Sequence, residues 1–258
     1  MTIKRSKIHA LVLTGDGINC EVETAMAFKD LGIEADIIHI SDLIERPQVL
    51  NSSHILVLPG GFSFGDEIGS GQILALKLKY SLSSELKRFI DDKKLIIGIC
   101  NGFQALVRMG LLPVPFSERT MTLTHNKQGH FMNQWVDLVV PNSKCAWTTE
   151  LSCQKITLPI RHGEGRVVFK GNSLDQSKIF ETLKEKGQLA LFYENDVNGS
   201  YEKIAGVCDP SGRVFGLMPH PEGAVSLWQS PSGSDKRDGA GIGALIFESG
   251  IKYCENNF

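Results

Sequence analysis

No apolar run in the 258 residues approaches the ~20 that a membrane-spanning helix needs, so nothing points to a membrane. Neither sign of charge dominates. With 27 Lys and Arg against 29 Asp and Glu, the net charge is −2, which offers nucleic acid no bulk attraction. Six cysteines occur, at 20, 100, 145, 153, 208 and 254, but no two form Cys-x-x-Cys. Zinc-ribbon and dithiol redox motifs are therefore unsupported, and no metal site is expected. Scattered single thiols fit a reducing compartment. No Gly-x-x-x-x-Gly-Lys-Ser/Thr phosphate loop is present, so no nucleotide site or cofactor is expected in this chain. There is no internal repeat, low-complexity tract or linker, which predicts one domain over residues 1–258. Lys4, Arg5 and Lys7 precede an apolar run, as in a signal peptide. However, Ile8 to Leu13 is short for such a segment and ends at Gly15-Asp-Gly17, so it reads as the first strand of a cytoplasmic protein.

What the chain does contain is alternation. Ile8–Thr14 predicts a strand, and Asn19 caps a helix running to about Leu31. Strands follow at Glu34–Ile40 and His54–Pro59, then helices at Gly71–Lys79 and Ser83–Asp91, the second capped by Ser83 or Ser84. A strand at Leu95–Ile99 and a helix from Phe103 to Gly110 complete the pattern. Strand and helix in turn predict a parallel sheet flanked by helices. Beyond Leu112 the texture changes to shorter, antiparallel-type strands with a helix at Leu174–Lys186. A loop at Ser226–Gly243 precedes a closing helix from Ala244. The fold class is thus α/β: a central, mostly parallel sheet with added antiparallel strands. Ligands of such sheets sit beyond the carboxyl ends of the strands.

Three stretches lie at such ends. The first is Gly98-Ile-Cys-Asn-Gly102, where a buried β-branched strand runs into a helix at Cys100. A side chain on this bend is held out at the positive end of a helix, as in the Gly-x-Ser-x-Gly elbow of hydrolases, and the turn favours a thiolate. The same stretch also reads as a structural cysteine closing a parallel strand. The second is Met218-Pro-His-Pro-Glu222. Pro221 biases His220 toward an extended backbone, and residues two apart then share a face, so Glu222 can orient the His220 imidazole. An exposed loop with an incidental His and Glu is the plainer alternative. The third is Pro59-Gly-Gly-Phe-Ser-Phe-Gly-Asp66. Its Gly61 amide, together with the Asn101 amide, can form an oxyanion hole, or the glycines simply make a tight turn.

In this order, the three stretches resemble the class I, triad-type glutamine amidotransferases, with their Gly-x-Cys-x-Gly elbow and downstream His-x-Glu. Pro59–Asp66, Cys100-Asn-Gly-Phe-Gln104, Leu158-Pro-Ile-Arg-His-Gly-Glu-Gly-Arg166, Asn198-Gly-Ser200 and Gly216–Glu222 together resemble one branch, the glutaminase subunits of phosphoribosylformylglycinamidine synthase. The matches run from Gly15 to the last helix. The resemblance implies a flavodoxin-like core and a triad of Cys100, His220 and Glu222. It implies oxyanion donors at Gly61 and Asn101, and contacts to L-glutamine from Gln104 and from the Arg161–Glu164 segment, including Gly163. It further implies a separate synthase subunit that binds ATP and magnesium, with a further small subunit beside it. The chain departs from the branch at Gly223, where Arg commonly follows the glutamate. It also departs at Phe64, where Tyr is usual, and at Arg161, where a small residue is common. A stand-alone cysteine hydrolase or peptidase would share the elbow and the histidine without needing the Phe-Ser-Phe-Gly-Asp extension. A non-catalytic binding subunit would not need Cys100, His220 and Glu222 intact.

Overall fold

The computed structural model describes residues 3–231 and 239–258. Its frame is a nine-stranded sheet. In chain order the strands are β1 (His9–Thr14), β2 (Glu34–His39), β3 (Ile55–Leu58), β4 (Leu95–Ile99), β5 (Met121–Thr124), β6 (Met132–Val139), β7 (Lys155–His162), β8 (Arg166–Phe169), β9 (Leu189–Tyr193), β10 (Ile204–Cys208) and β11 (Val214–Leu217). The large sheet runs β2-β1-β3-β4-β11-β10-β9-β6-β7, and β5 pairs with β8 in a separate ribbon. The first five strands of that order are parallel, and the pairings from β11 to β7 are antiparallel. The parallel half has the flavodoxin-like order, which reverses direction between β1 and β3 and opens a ligand crevice there.

Strand β4 sits at the centre because every one of its residues is apolar or glycine and buried. Such a strand, covered on both faces, reads as a continuous apolar run rather than an alternating one. The covering helices are α1 (Glu21–Asp30), α2 (Ile40–Glu45), α3 (Val49–Ser52), α4 (Gln72–Asp91), α5 (Asn101–Met109), α6 (Ser173–Glu185) and α7 (Ala244–Asn257). On α7, Phe247 packs edge-on against Phe28 of α1, and Arg5 ties the amino-terminal segment to Glu248 and Glu255.

Two sequence expectations need correction. The two helices expected over residues 71–91 are one helix, α4, bent at Leu82 (φ −131°, ψ 16°); Ser83 continues it rather than capping a new one. Helix α1 begins one residue later than expected, so the cap position falls on Cys20 and not on Asn19. Pro47 lies in the connection between the short helices α2 and α3. The loop expected over Ser226–Gly243 lies partly outside the described residues; its ends are bridged by Ser226 and Ala240. Among the described residues, no helix is long and apolar enough to cross a membrane.

Candidate active site

Cys100 stands where β4 becomes α5. Its amide is the last rung of the sheet, donating to the Leu217 carbonyl of β11 at 2.8 Å, and its carbonyl accepts the first α5 hydrogen bond, from Gln104 at 3.1 Å. Joining strand to helix through this single residue forces Cys100 to φ 50°, ψ −104°. A non-glycine residue in such a region costs about 1–3 kcal/mol and persists only where its surroundings fix it. Gly98 and Gly102 make the bend possible. A Cβ on Gly98 would lie 2.6 Å from the Gly102 carbonyl oxygen, and one on Gly102 would lie 1.9 Å from the Leu58 carbonyl oxygen of β3. Strand and helix therefore touch backbone to backbone on both sides of the cysteine.

His220 follows β11. Its backbone is extended (φ −106°, ψ 92°), as Pro221 requires, and its amide donates to the Pro159 carbonyl of β7 at 2.8 Å. The imidazole Nδ1 is 2.5 Å from Glu222 Oε1, and both side chains are almost wholly buried. Burial alone would lower the His220 pKa. The Glu222 charge and the nearby Cys100 outweigh it and hold the imidazole well above its ordinary value. With Nδ1 engaged by Glu222, Nε2 is the nitrogen left for Cys100. That contact is looser than a formed hydrogen bond: Nε2 has no partner among the described residues, and Cys100 Sγ donates to the Arg161 carbonyl at 3.6 Å. Nucleophile–base hydrogen bonds are often long before substrate binds.

The Gly61 and Asn101 backbones flank the elbow. The antiparallel bridge between Ile18 and Gly61 is built from the Asn19 amide to the Gly60 carbonyl and the Phe62 amide to the Gly17 carbonyl, so the Gly61 amide takes no part in it. The Asn101 amide is the first of α5 and has no acceptor one turn back within the helix. The Asn101 side chain binds the two backbones together. Its Oδ1 accepts from the Ser63 amide at 3.1 Å, while its Nδ2 donates to Asp66 Oδ1 and Gln104 Oε1, each at 3.0 Å. That latch ties the Gly60–Asp66 loop to the Cys100–Gln104 elbow.

Gln104 spans the floor of the site, accepting from Asn101 and donating to the Glu164 carbonyl. Gly163 belongs to a turn clamped by Asn126. The Asn126 amide donates to the Gly163 carbonyl at 2.9 Å, and its side chain engages the His162 carbonyl, His162 Nδ1 and the Gly165 amide. His162 is buried here; desolvation, then repulsion from His220, lowers its pKa to about 4.

The structure thus gathers all seven sequence-predicted residues around one elbow. Two of the departures are neighbours: a Cβ at Gly223 would stand 3.0 Å from Pro159 Cγ and 3.4 Å from Arg161 Nη2. Sequence reasoning missed Asn126, whose role depends on the chain returning from β7. It also missed Cys20, whose Sγ lies 4.0 Å from His220 Nδ1. The one available signal for Cys20 was its position just past β1, at a strand carboxyl end.

Comparison with known proteins identifies the family of the whole chain. The model of the CobB/CobQ-like glutamine amidotransferase domain matches residues 7–254. The phosphoribosylformylglycinamidine synthase subunit PurQ of Methanococcus maripaludis is 39% identical over 262 residues, covering 96% of this chain and 92% of that protein. The PurQ subunit of Dehalococcoides mccartyi is 38% identical over 256 residues, covering 96% and 98%. A chain in the structure of PurLQS from Thermotoga maritima superposes with a TM-score of 0.75 at 34% identity, over 96% of this chain and 99% of that one. With the elbow, the His–Glu pair and full-length similarity in agreement, the chain belongs to the CobB/CobQ-like glutamine amidotransferase family, in the branch of the PurQ subunits of phosphoribosylformylglycinamidine synthase.

Proposed function

We propose that this chain, acting as one amidotransferase domain over residues 1–258, hydrolyses L-glutamine at Cys100 and hands the ammonia to a synthase subunit. The observation that carries the reading is the strained Cys100 elbow facing a buried His220–Glu222 pair. Cys100 Sγ attacks the side-chain amide carbon, and its proton goes to His220 Nε2. The tetrahedral oxyanion is held by the Gly61 and Asn101 amides, each such donor being worth about 3 kcal/mol. His220 then protonates the departing nitrogen, and ammonia leaves a γ-glutamyl thioester on Cys100. Next, His220 takes a proton from water, which attacks the thioester; glutamate departs and the thiol is restored. Glu222 keeps the Nδ1 proton in place and stabilises the imidazolium. Gln104 and the Gly163 turn contact the α-amino and carboxylate groups of glutamine.

The partners follow from the relatives named PurQ and from the PurLQS assembly. The synthase subunit binds ATP and magnesium and aminates formylglycinamide ribonucleotide, a further small subunit joins them, and the complex works in the cytoplasm. The test is co-purification with the synthase subunit, followed by glutamine-dependent amination. Cys100→Ala should leave the complex intact, abolish the reaction with glutamine and spare the reaction with added ammonia. A variant that still hydrolysed glutamine at the wild-type rate would refute the assignment of the nucleophile.

A further inference from the structure

Cys20 has no part in the reaction above, yet it is packed against its base. Helix α1 starts one residue after it, so its side chain is held at the carboxyl end of β1, facing the end of β11. Sγ lies 4.0 Å from His220 Nδ1, and the donor atoms of Cys20, His220 and Glu222 all lie within 4.8 Å of one another. Among the described residues no other three His, Cys, Asp or Glu side chains come together in this way. Gly60 permits the approach, since a Cβ there would stand 2.7 Å from His220 Cε1 and 3.2 Å from Cys20 Sγ. A second and independent feature is the carboxylate itself. Glu222 is 1% exposed, and its Oε2 has no hydrogen-bond partner among the described residues. A buried carboxylate oxygen left unpaired is costly and uncommon.

We propose that Cys20, His220 and Glu222 form a binding site for a borderline-soft divalent cation of the zinc type, and that its occupancy closes the glutaminase site reversibly. One thiolate, one imidazole nitrogen and one carboxylate oxygen make up a donor set that suits Zn²⁺ and not Mg²⁺ or Ca²⁺. Zn–S near 2.3 Å and Zn–N or Zn–O near 2.0–2.2 Å set tetrahedral donors roughly 3.3–3.6 Å apart. The sulfur–nitrogen pair must therefore close by a few tenths of an ångström, and the Nδ1–Oε1 pair must open from 2.5 Å. The second movement follows from the chemistry. The metal replaces the proton that Nδ1 shares with Glu222, and the unpaired Oε2 supplies an oxygen with no bond to break. A cavity of about 290 Å³ reaches Cys20 and His220, with Asn19 and Glu23 on its wall, giving an entry path and room for water as the fourth ligand. Asn19 Oδ1 already accepts from Cys20 Sγ at 3.3 Å.

Binding balances as follows. The thiol releases one proton to solvent, the Nδ1 proton of His220 passes through solvent to Nε2, and the metal takes the two freed electron pairs and one from the carboxylate. His220 is then neutral, with its proton on Nε2. In that form it cannot accept the Cys100 proton, and Glu222 no longer orients it. Metal binding stands apart from the proposed function, whereas its inhibitory effect rests on that reading. The experiment therefore reads the two separately.

Reduced protein is titrated with Co²⁺, whose bond to a thiolate gives a near-ultraviolet charge-transfer band, and Zn²⁺ is then added to displace it. The band is expected in the wild type and in Cys100→Ala, and absent in Cys20→Ala. In Glu222→Gln the cobalt affinity should fall by roughly tenfold or more. A wild type without the band, a band that survives in Cys20→Ala, or one that disappears in Cys100→Ala would overturn the site. In a parallel glutaminase assay, Zn²⁺ should inhibit the wild type, and Cys20→Ser should raise the inhibitory concentration roughly tenfold or more. Metal bound by the spectrum without loss of glutaminase activity would overturn the closing effect alone. Failure of the glutaminase reading would leave the cobalt spectra unchanged.

Discussion

Replacing Gly102 by alanine tests whether the contact of helix on strand aligns the site. The added Cβ would lie 1.9 Å from the Leu58 carbonyl oxygen and 2.6 Å from its carbon. Carbon–oxygen contacts between backbones settle near 3.3–3.6 Å, so α5 and β3 must separate by about 1.5 Å. No rotamer can relieve this, because both partners are backbone. Overpacking of this kind costs about 1–3 kcal/mol, and the better helix propensity of alanine returns up to about 1 kcal/mol. The net loss is about 1–2 kcal/mol, enough to lower the urea midpoint but not to unfold the protein. The kinetic effect is the larger one. Leu58 leads directly to Gly60-Gly61, and Gly102 sits two residues past Cys100, so the same separation pulls the Gly61 amide away from the Asn101 amide. Misplacement of reacting groups by about 1 Å costs roughly 100-fold in rate, similar to losing one oxyanion donor. Glutamine hydrolysis by the purified complex, read as kcat/KM beside urea denaturation of the same sample, measures both. The control is Gly163→Ala, whose Cβ would meet only Phe131 Cδ2 at 3.9 Å. It should be as stable as the wild type, with its effect confined to KM. If Gly102→Ala hydrolysed glutamine within about threefold of the wild type, where roughly 100-fold is expected, the backbone contact would not be what aligns the site.

Other outcomes follow from the same geometry. Asp66→Ala removes the acceptor of both the Asn101 Nδ2 and the Gly71 amide, and should lower kcat more than it raises KM, checked by steady-state kinetics. His162 keeps a folded pKa of about 4 against an ordinary 6.5. Between those values the unfolded chain binds a proton that the native state refuses, so stability is intact above pH 6.5 and falls as the pH drops toward 4. Two and a half pH units correspond to about 3 kcal/mol. His162→Gln should flatten that part of the stability curve, measured by urea titration at several pH values; parallel curves for the two proteins would contradict it. His220, held above its ordinary value, acts in the opposite sense: its contribution is full below pH 6.5 and is lost as the pH rises through its folded pKa. Wild-type stability should therefore decline on the alkaline side more than that of His220→Asn.

Much of the site could be read before the structure because each motif encodes its own backbone. Gly98 and Gly102 mark a contact only glycine allows, Pro221 sets the extended His220, and the unbroken apolar run of β4 marks a strand covered on both faces. What could not be read depends on chain segments that meet only in space. Cys20 and His220 lie 200 residues apart. Asn126 clamps a turn that no local pattern ties to it. The pairing of Arg161 with Gly223 becomes visible only when β7 lies beside the helical turn after His220. The serines at 83 and 84 look like the start of a helix, but the apolar face through Leu78, Leu82 and Leu86 is buried without interruption, and that burial carries α4 through its bend. Helix propensity and capping are worth a few tenths to about 1 kcal/mol, less than burying one leucine.

The Cys100 amide donates to Leu217 at the end of β11, whereas the His220 amide, in the turn after β11, donates to Pro159 of the edge strand β7. The nucleophile is therefore fastened to the central strands, and its base is tied across to the edge of the sheet. In hydrogen-exchange terms, the Cys100 amide should trade its proton only when the central strands part, and the His220 amide when β7 or the turn after β11 opens. On heating, loss of glutaminase activity should then follow the opening of the β7 edge and precede the parting of the central strands.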